Sequence, residues 1–116
     1  MTIHRPVFVL HEHHRPRLHF DLRLEEDGVL RSWAVPKGLP TETGADRLAV
    51  AVADHDLDHA TYADQTKLIA DTGWWELEDR TERRFVFVLH GRTCSRRYAL
   101  IETDRDWLLH LTKKQP

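Results

Sequence analysis

The chain has 116 residues, with 17 lysines and arginines against 19 aspartates and glutamates for a formal net charge of -2, and a single cysteine, Cys94. This length supports one core and no second. The charge excludes a non-specific nucleic-acid coat, and the lone thiol excludes an internal disulfide and a thiolate-rich zinc site. No apolar run reaches membrane-spanning length and the N-terminus lacks the apolar core of a signal peptide, so we expect a cytoplasmic, membrane-free monomer. The expected unit is one domain over residues 1–116, ordered from about residue 6 to 112.

The first element is a strand from about Val7 to His13, rich in apolar and β-branched residues. Side chains alternate faces along a strand, so His11 and His13 share one face. Arg15-Pro16-Arg17 interrupts the run, because proline lacks a donor for the ladder. From Leu18 to Glu25 the alternation is clear: Leu18, Phe20, Leu22 and Leu24 fall on one face, and His19, Asp21 and Arg23 on the other. Glu26-Asp27-Gly28 carries the Asp-Gly hairpin signal, and Val29 to Val35 is the returning strand. A loop runs from Pro36 to Asp46. Arg47 to Ala53 alternates with Leu48, Val50 and Val52 together on one face. Next comes the acidic strip Asp54 to His59, and a helical stretch is placed around Leu57 to Asp64.

Lys67 to Ala70 reads as a short strand, Asp71-Thr72-Gly73 as a turn, and Trp74 to Leu77 as a further strand. Phe85 to His90 is a nearly continuous apolar strand, expected to be buried on both faces. Arg97 to Glu102 and Trp107 to Leu111 complete the set, and Lys113 to Pro116 is expected to fray. Many short strands at regular spacing, with little helix, predict an all-β fold. A compact barrel of about eight short, mostly antiparallel strands is the expected form.

Neutral imidazole and carboxylate are common ligands for a borderline divalent metal. If the first two strands pair as a hairpin, His13 and His19 face one pocket with Asp21. Two imidazoles and one carboxylate leave coordination positions open for water and substrate. Arg23 is one step along the same face, where it serves as a phosphate clamp or as an ion-pair partner of Asp21 or Glu25. Lys37 and Arg47 stand at strand ends, where side chains reach a barrel mouth. His55 lies between Asp54 and Asp56, which would raise its pKa if they are close. His11, His14, His59, His90 and His110 are weaker candidates, with His90 expected to be structural.

Three segments together resemble a known family: His13-His-Arg-Pro-Arg-Leu-His19-Phe-Asp21-Leu-Arg23-Leu-Glu25, Asp27-Gly-Val-Leu-Arg-Ser-Trp-Ala-Val-Pro-Lys37-Gly, and Arg47-Leu-Ala-Val followed by Asp54-His55. They resemble the 3′-phosphoesterase domain of bacterial non-homologous end-joining DNA ligase D, in its order and spacing. Phe85 to Gly91, Tyr98 to Ile101 and Trp107 to Leu109 look like the family's closing strands. The resemblance implies a β-barrel with a manganese-dependent site, which other divalent transition metals such as Co2+ or Zn2+ would also fit. It implies removal of a 3′-terminal ribonucleoside and hydrolysis of the resulting 3′-phosphate to a 3′-hydroxyl. By the same resemblance, His13, His19 and Asp21 match the metal ligands. Arg23, Lys37, Arg47 and His55 match residues around the scissile phosphate.

The chain departs from the family in three places. His11 stands where glutamine is usual, and His59 where a tyrosine near the phosphate is usual. The family's glycine-rich segment is replaced by Tyr62-Ala-Asp-Gln-Thr-Lys-Leu-Ile. An N-terminal arm of the kind common in the family is not expected. The expected partners are DNA or RNA 3′ ends, with separate ligase, polymerase or Ku end-joining proteins as candidates. Two other readings stay open from the residues: a non-catalytic module that docks phosphorylated ends or a repair partner, and a phosphoesterase of small phosphorylated metabolites.

Overall fold

The computed structural model describes residues 4–116. Eight strands form: β1 Val7–His13, β2 His19–Glu26, β3 Val29–Val35, β4 Asp46–His55, β5 Lys67–Arg80, β6 Arg84–His90, β7 Ser95–Glu102 and β8 Trp107–Leu111. They close into one antiparallel barrel in the order β1-β2-β3-β4-β8-β7-β6-β5, with β5 returning to β1. Closure leaves no unpaired sheet edge. The described residues include no helix long and apolar enough to cross a membrane.

Alternation decides what fills the barrel. Phe8 and Leu10 of β1, Leu22 and Leu24 of β2, and Trp33 and Val35 of β3 point into one apolar interior. Trp33 is its largest fully buried side chain and meets Trp107 edge-on at 5.7 Å between ring centroids. The β2–β3 hairpin turns through Asp27 and Gly28 at φ 54° and 84°. Those two positive values explain the Asp-Gly pair, since its turn needs both.

Four local expectations change. Leu48, Val50 and Val52 do lie on one face of β4, but Leu48 and Val52 are exposed and it is Ala49 that enters the core. Ala49 pairs with Trp107, and beside so large an indole only a small side chain fits. Asp71-Thr72-Gly73 is not a turn; it lies inside the 14-residue β5. A Cβ on Gly73 would run into the backbone carbonyl of His90, so this glycine permits a close approach of β6. Asp71 accepts hydrogen bonds from the N–H groups of Thr72 and Arg92, tying β5 to the β6–β7 loop. The C-terminal tail does not fray: the Gln115 side chain accepts from Arg97 N and donates to Arg97 O, so it behaves as one more ladder rung beside β7. The helical stretch after β4 is shorter than expected, a 3-10 turn over Leu57–Thr61.

The strand order fixes the position of that turn. β4 pairs with β3, whereas β5 pairs with β1. The β4–β5 connection therefore crosses the outside of the barrel over β3, β2 and β1, and its 3-10 turn packs on β1 and β3. Polar side chains on this outer face, which would otherwise meet solvent, lie under a roof.

Candidate metal and phosphate site

The roofed face is assembled by three strands. Backbone register sets His13 opposite His19, His11 opposite Asp21, and Val9 opposite Arg23 across β1 and β2. On β3, Ser32 is opposite Arg23. Because cross-strand neighbours share a face, their side chains form one patch. His11, Asp21, Arg23 and Ser32 are 0, 5, 2 and 3 % exposed. Polar groups this deeply buried must be partnered.

His13, His19 and Asp21 each offer a ligand atom, and these atoms all lie within 4.8 Å of one another. His13 Nδ1 is 3.4 Å from Asp21 Oδ2, and His19 Nε2 is 3.3 Å from Asp21 Oδ1. Each imidazole nitrogen thus faces a different oxygen of one carboxylate, a cluster compact enough to close on a divalent cation. The donor chemistry agrees. His19 Nδ1 is 2.9 Å from the carbonyl oxygen of Arg17, which can only accept, so Nδ1 carries the proton. That leaves Nε2 as the nitrogen facing Asp21 and free to share a cation with its carboxylate. A carbonyl on the far ring nitrogen is also how metal-binding histidines are commonly oriented.

Arg23 anchors the patch. Its Nη2 donates to Asp21 Oδ2 at 3.3 Å, its Nη1 to Ser32 Oγ at 2.9 Å, and its Nε to His11 Nδ1 at 3.1 Å. Burial lowers the Arg23 pKa while the Asp21 carboxylate raises it. The carboxylate thus offsets part of the cost of placing a guanidinium under the roof. His11 completes the chain by donating from Nε2 to the carbonyl oxygen of Tyr62 at 2.8 Å.

The roof supplies a stack of rings. His55 and His59 lie face to face at 4.3 Å, His59 and Tyr62 at 4.9 Å, and the His59 ring meets that of His11 at 5.2 Å. Lys67 Nζ is 3.1 Å from His59 Nε2. Burial is the largest cause lowering the pKa of His11, His13, His55 and His59; the nearby cation Lys67 adds to it at all four, and Arg23 at His11, His55 and His59. His59 is pushed down to about 4. The expected rise at His55 is therefore overturned: Asp56 does act upward, but burial, Arg23 and Lys67 outweigh it. All four rings are neutral near pH 7. The turn leading out of the roof is built on Asp64, which accepts from the Tyr62 hydroxyl and from the N–H groups of Thr66 and Lys67.

The face thus gathers His13, His19, Asp21, Arg23, His55 and His59 in one place. Lys37 and Arg47 stand elsewhere at the same barrel end, lining a 320 Å3 cavity with Pro36, Asp46 and Leu48. Arg47 Nε is buried there without a hydrogen-bond partner. Neither residue bonds the His–Asp triad. Sequence reasoning ranked His11 low and missed Ser32, Tyr62 and Lys67. His11 was signalled by sharing a strand face with His13. Lys67 carried no signal, since the register of a strand 54 residues beyond His13 cannot be read from alternation.

Over residues 11–102 the chain matches the family described as the DNA ligase D 3′-phosphoesterase domain. It is 43 % identical over 123 residues to the multifunctional non-homologous end joining protein LigD of Mycobacterium bovis, a match covering 94 % of this chain and 16 % of that protein. The corresponding protein of Mycolicibacterium smegmatis is 40 % identical, with 93 % of this chain and 17 % of the relative covered. That of Pseudomonas aeruginosa is 39 % identical, with 84 % and 13 % covered. The chain spans less than a fifth of the length of these relatives.

Proposed function

Because the chain belongs to the DNA ligase D 3′-phosphoesterase domain family, we propose that it is a manganese-dependent phosphoesterase that heals nucleic-acid 3′ ends during end joining. It would remove 3′-terminal ribonucleosides and convert 3′-phosphates to 3′-hydroxyls. The observation that carries this reading is the His13–His19–Asp21 triad, with Arg23 bonded to its carboxylate on a roofed face.

His13, His19 and Asp21 would hold the metal, which when bound polarises a phosphate oxygen and acidifies water. Arg23 holds the Asp21 carboxylate in place, and its charge offsets the negative charge that builds on phosphate in the transition state. Arg47 and Lys37, which line one cavity, would offer their cationic side chains to the substrate phosphate or its neighbour along the strand. His55 enters the reaction neutral, so its first role is as an N–H donor to a phosphate oxygen. An anion bound beside it would raise its pKa, and it would then have a proton for the departing oxygen, the 5′ oxygen of a terminal ribonucleoside or the 3′ oxygen of a phosphomonoester. His59 takes the position of the family's tyrosine as a neutral ring in the stack. The substrates would be DNA ends, or RNA-containing ends, passed on to ligase, polymerase or Ku proteins of the same pathway.

The test is turnover of DNA primers ending in a 3′-phosphate or in ribonucleotides, with manganese, by the wild type and His19→Ala. Loss of product with His19→Ala is expected. Equal release by both proteins overturns the triad as the metal centre.

A further inference from the structure

Lys67 is not among the residues that the family resemblance assigns. It lies in the segment where the chain departs from the family's glycine-rich sequence. Its backbone pairs with His13 across β1 and β5, so its side chain shares the face of the triad. From there its ammonium reaches the roof, 3.1 Å from His59 Nε2 and 5.6 Å from the centre of the Tyr62 ring.

What surrounds this ammonium leaves it without a carboxylate bonded to it. The Asp21 carboxylate already faces His13, His19 and Arg23. Asp64, the other acid nearby, is occupied by Tyr62, Thr66 and the Lys67 backbone. Among the described residues no carboxylate pairs with Lys67 Nζ. Its side-chain hydrogen-bond partner is an imidazole, which accepts the bond only while neutral. The ammonium is half-buried beside the Arg23 guanidinium, and the two acids near it, Asp21 and Asp64, are already engaged by other donors. A divalent metal on the triad would add further positive charge beside it. Burial and Arg23 act against the charged form of Lys67, and Asp21 and Asp64 act for it.

We infer that Lys67 is a phosphate-binding residue of this chain, its Nζ donating to a non-bridging oxygen of the terminal phosphate. The inference rests on the proposed phosphoesterase reading and deepens it. Lys67 donates to the phosphate from β5, while the charge of the buried Arg23 on β2 acts on it from beneath. The neutral ring of His59 holds the ammonium in place until the anion arrives. The segment that replaces the glycine-rich loop thereby gains a cation of its own.

The experiment uses Lys67→Met, which keeps the apolar stem, and Lys67→Arg, which keeps the charge. Binding of labelled primers ending in a 3′-phosphate or a 3′-hydroxyl is compared with chelator present, so that nothing turns over. Inorganic phosphate is titrated in parallel, and circular dichroism checks the fold. The wild type should prefer the phosphate end, and Lys67→Met should lose about tenfold to a hundredfold of that preference, as expected for a charge-assisted hydrogen bond. Lys67→Arg should retain most of it. A folded Lys67→Met protein with the wild-type preference overturns the inference, as does a wild type that binds neither the phosphate end nor inorganic phosphate. Lys67-dependent binding without any turnover in manganese would uphold Lys67 and overturn the phosphoesterase reading. Turnover in manganese with kcat and KM unchanged by Lys67→Met would do the reverse.

Discussion

Arg23 donates from Nε to Nδ1 of His11 at 3.1 Å, and His11 passes the connection on from Nε2 to the carbonyl oxygen of Tyr62. An arginine cannot accept, so His11 is held as the neutral tautomer with its proton on Nε2. The barrel's anchor arginine is thereby tied to the segment that roofs it. A glutamine has the same polarity pattern, an oxygen to accept from Arg23 and an N–H to donate to Tyr62, and glutamine is the residue usual in the family. His11→Gln should therefore keep kcat/KM within about threefold of wild type, consistent with an equivalent hydrogen-bond pair. His11→Leu strands Arg23 Nε under the roof and should cost about 1–3 kcal/mol of stability. Urea unfolding of the two variants checks this. Equal losses would contradict the brace.

The triad predicts stabilisation by metal. A ligand that binds only the folded state at a hundred times its Kd adds about 2.7 kcal/mol. For a domain of this size that is a rise in Tm on the order of 10 °C. Manganese should raise the wild-type Tm by that order, and chelator should reverse it. Asp21→Asn removes the carboxylate that faces both imidazoles and should abolish the shift. A full shift in Asp21→Asn would place the metal elsewhere.

The row His19, Asp21, Arg23 was readable because β2 alternates cleanly, and its partner His13 followed once a hairpin was assumed. The closed barrel followed from the number and spacing of strands. What escaped was set by contacts between distant segments. His11 was legible as a neighbour of His13, but its burial depends on the β4–β5 connection crossing over β1. Lys67 joins the site through the β1–β5 register. Asp71-Thr72-Gly73 has the composition of a turn, yet Gly73 serves the approach of the β6 backbone. Leu48 and Val52 mark the wrong face of β4, because the Trp107 indole across from Ala49 decides which face can turn inward.

Arg23→Lys keeps the charge and loses the geometry. One ammonium cannot reach Asp21, Ser32 and His11 together as the guanidinium fork does. Groups left unpaired beneath the roof should cost about 1–3 kcal/mol of stability. With Asp21 no longer clamped and the phosphate charge less well met, kcat/KM should fall about a hundredfold or more. Steady-state kinetics on a 3′-phosphate primer decides the point, and near wild-type activity would remove Arg23 from the reaction.

The roof histidines make stability depend on pH in a fixed direction. His59 titrates near pH 4 in the folded protein and at its ordinary 6.5 when unfolded, and His11, His13 and His55 are lowered as well. Between about pH 6.5 and pH 4 the unfolded chain binds protons that the folded chain refuses, so stability rises with pH across that window. The contribution is fully present above pH 6.5 and is lost as the pH falls toward 4. His59→Phe keeps a ring in the stack between His55 and Tyr62 but removes one of the protons taken up on unfolding. Urea midpoints measured without added metal should therefore fall less steeply for His59→Phe than for wild type as the pH is lowered through this range. Parallel slopes would show that His59 titrates alike in both states, and so that the roof does not hold its ring away from water.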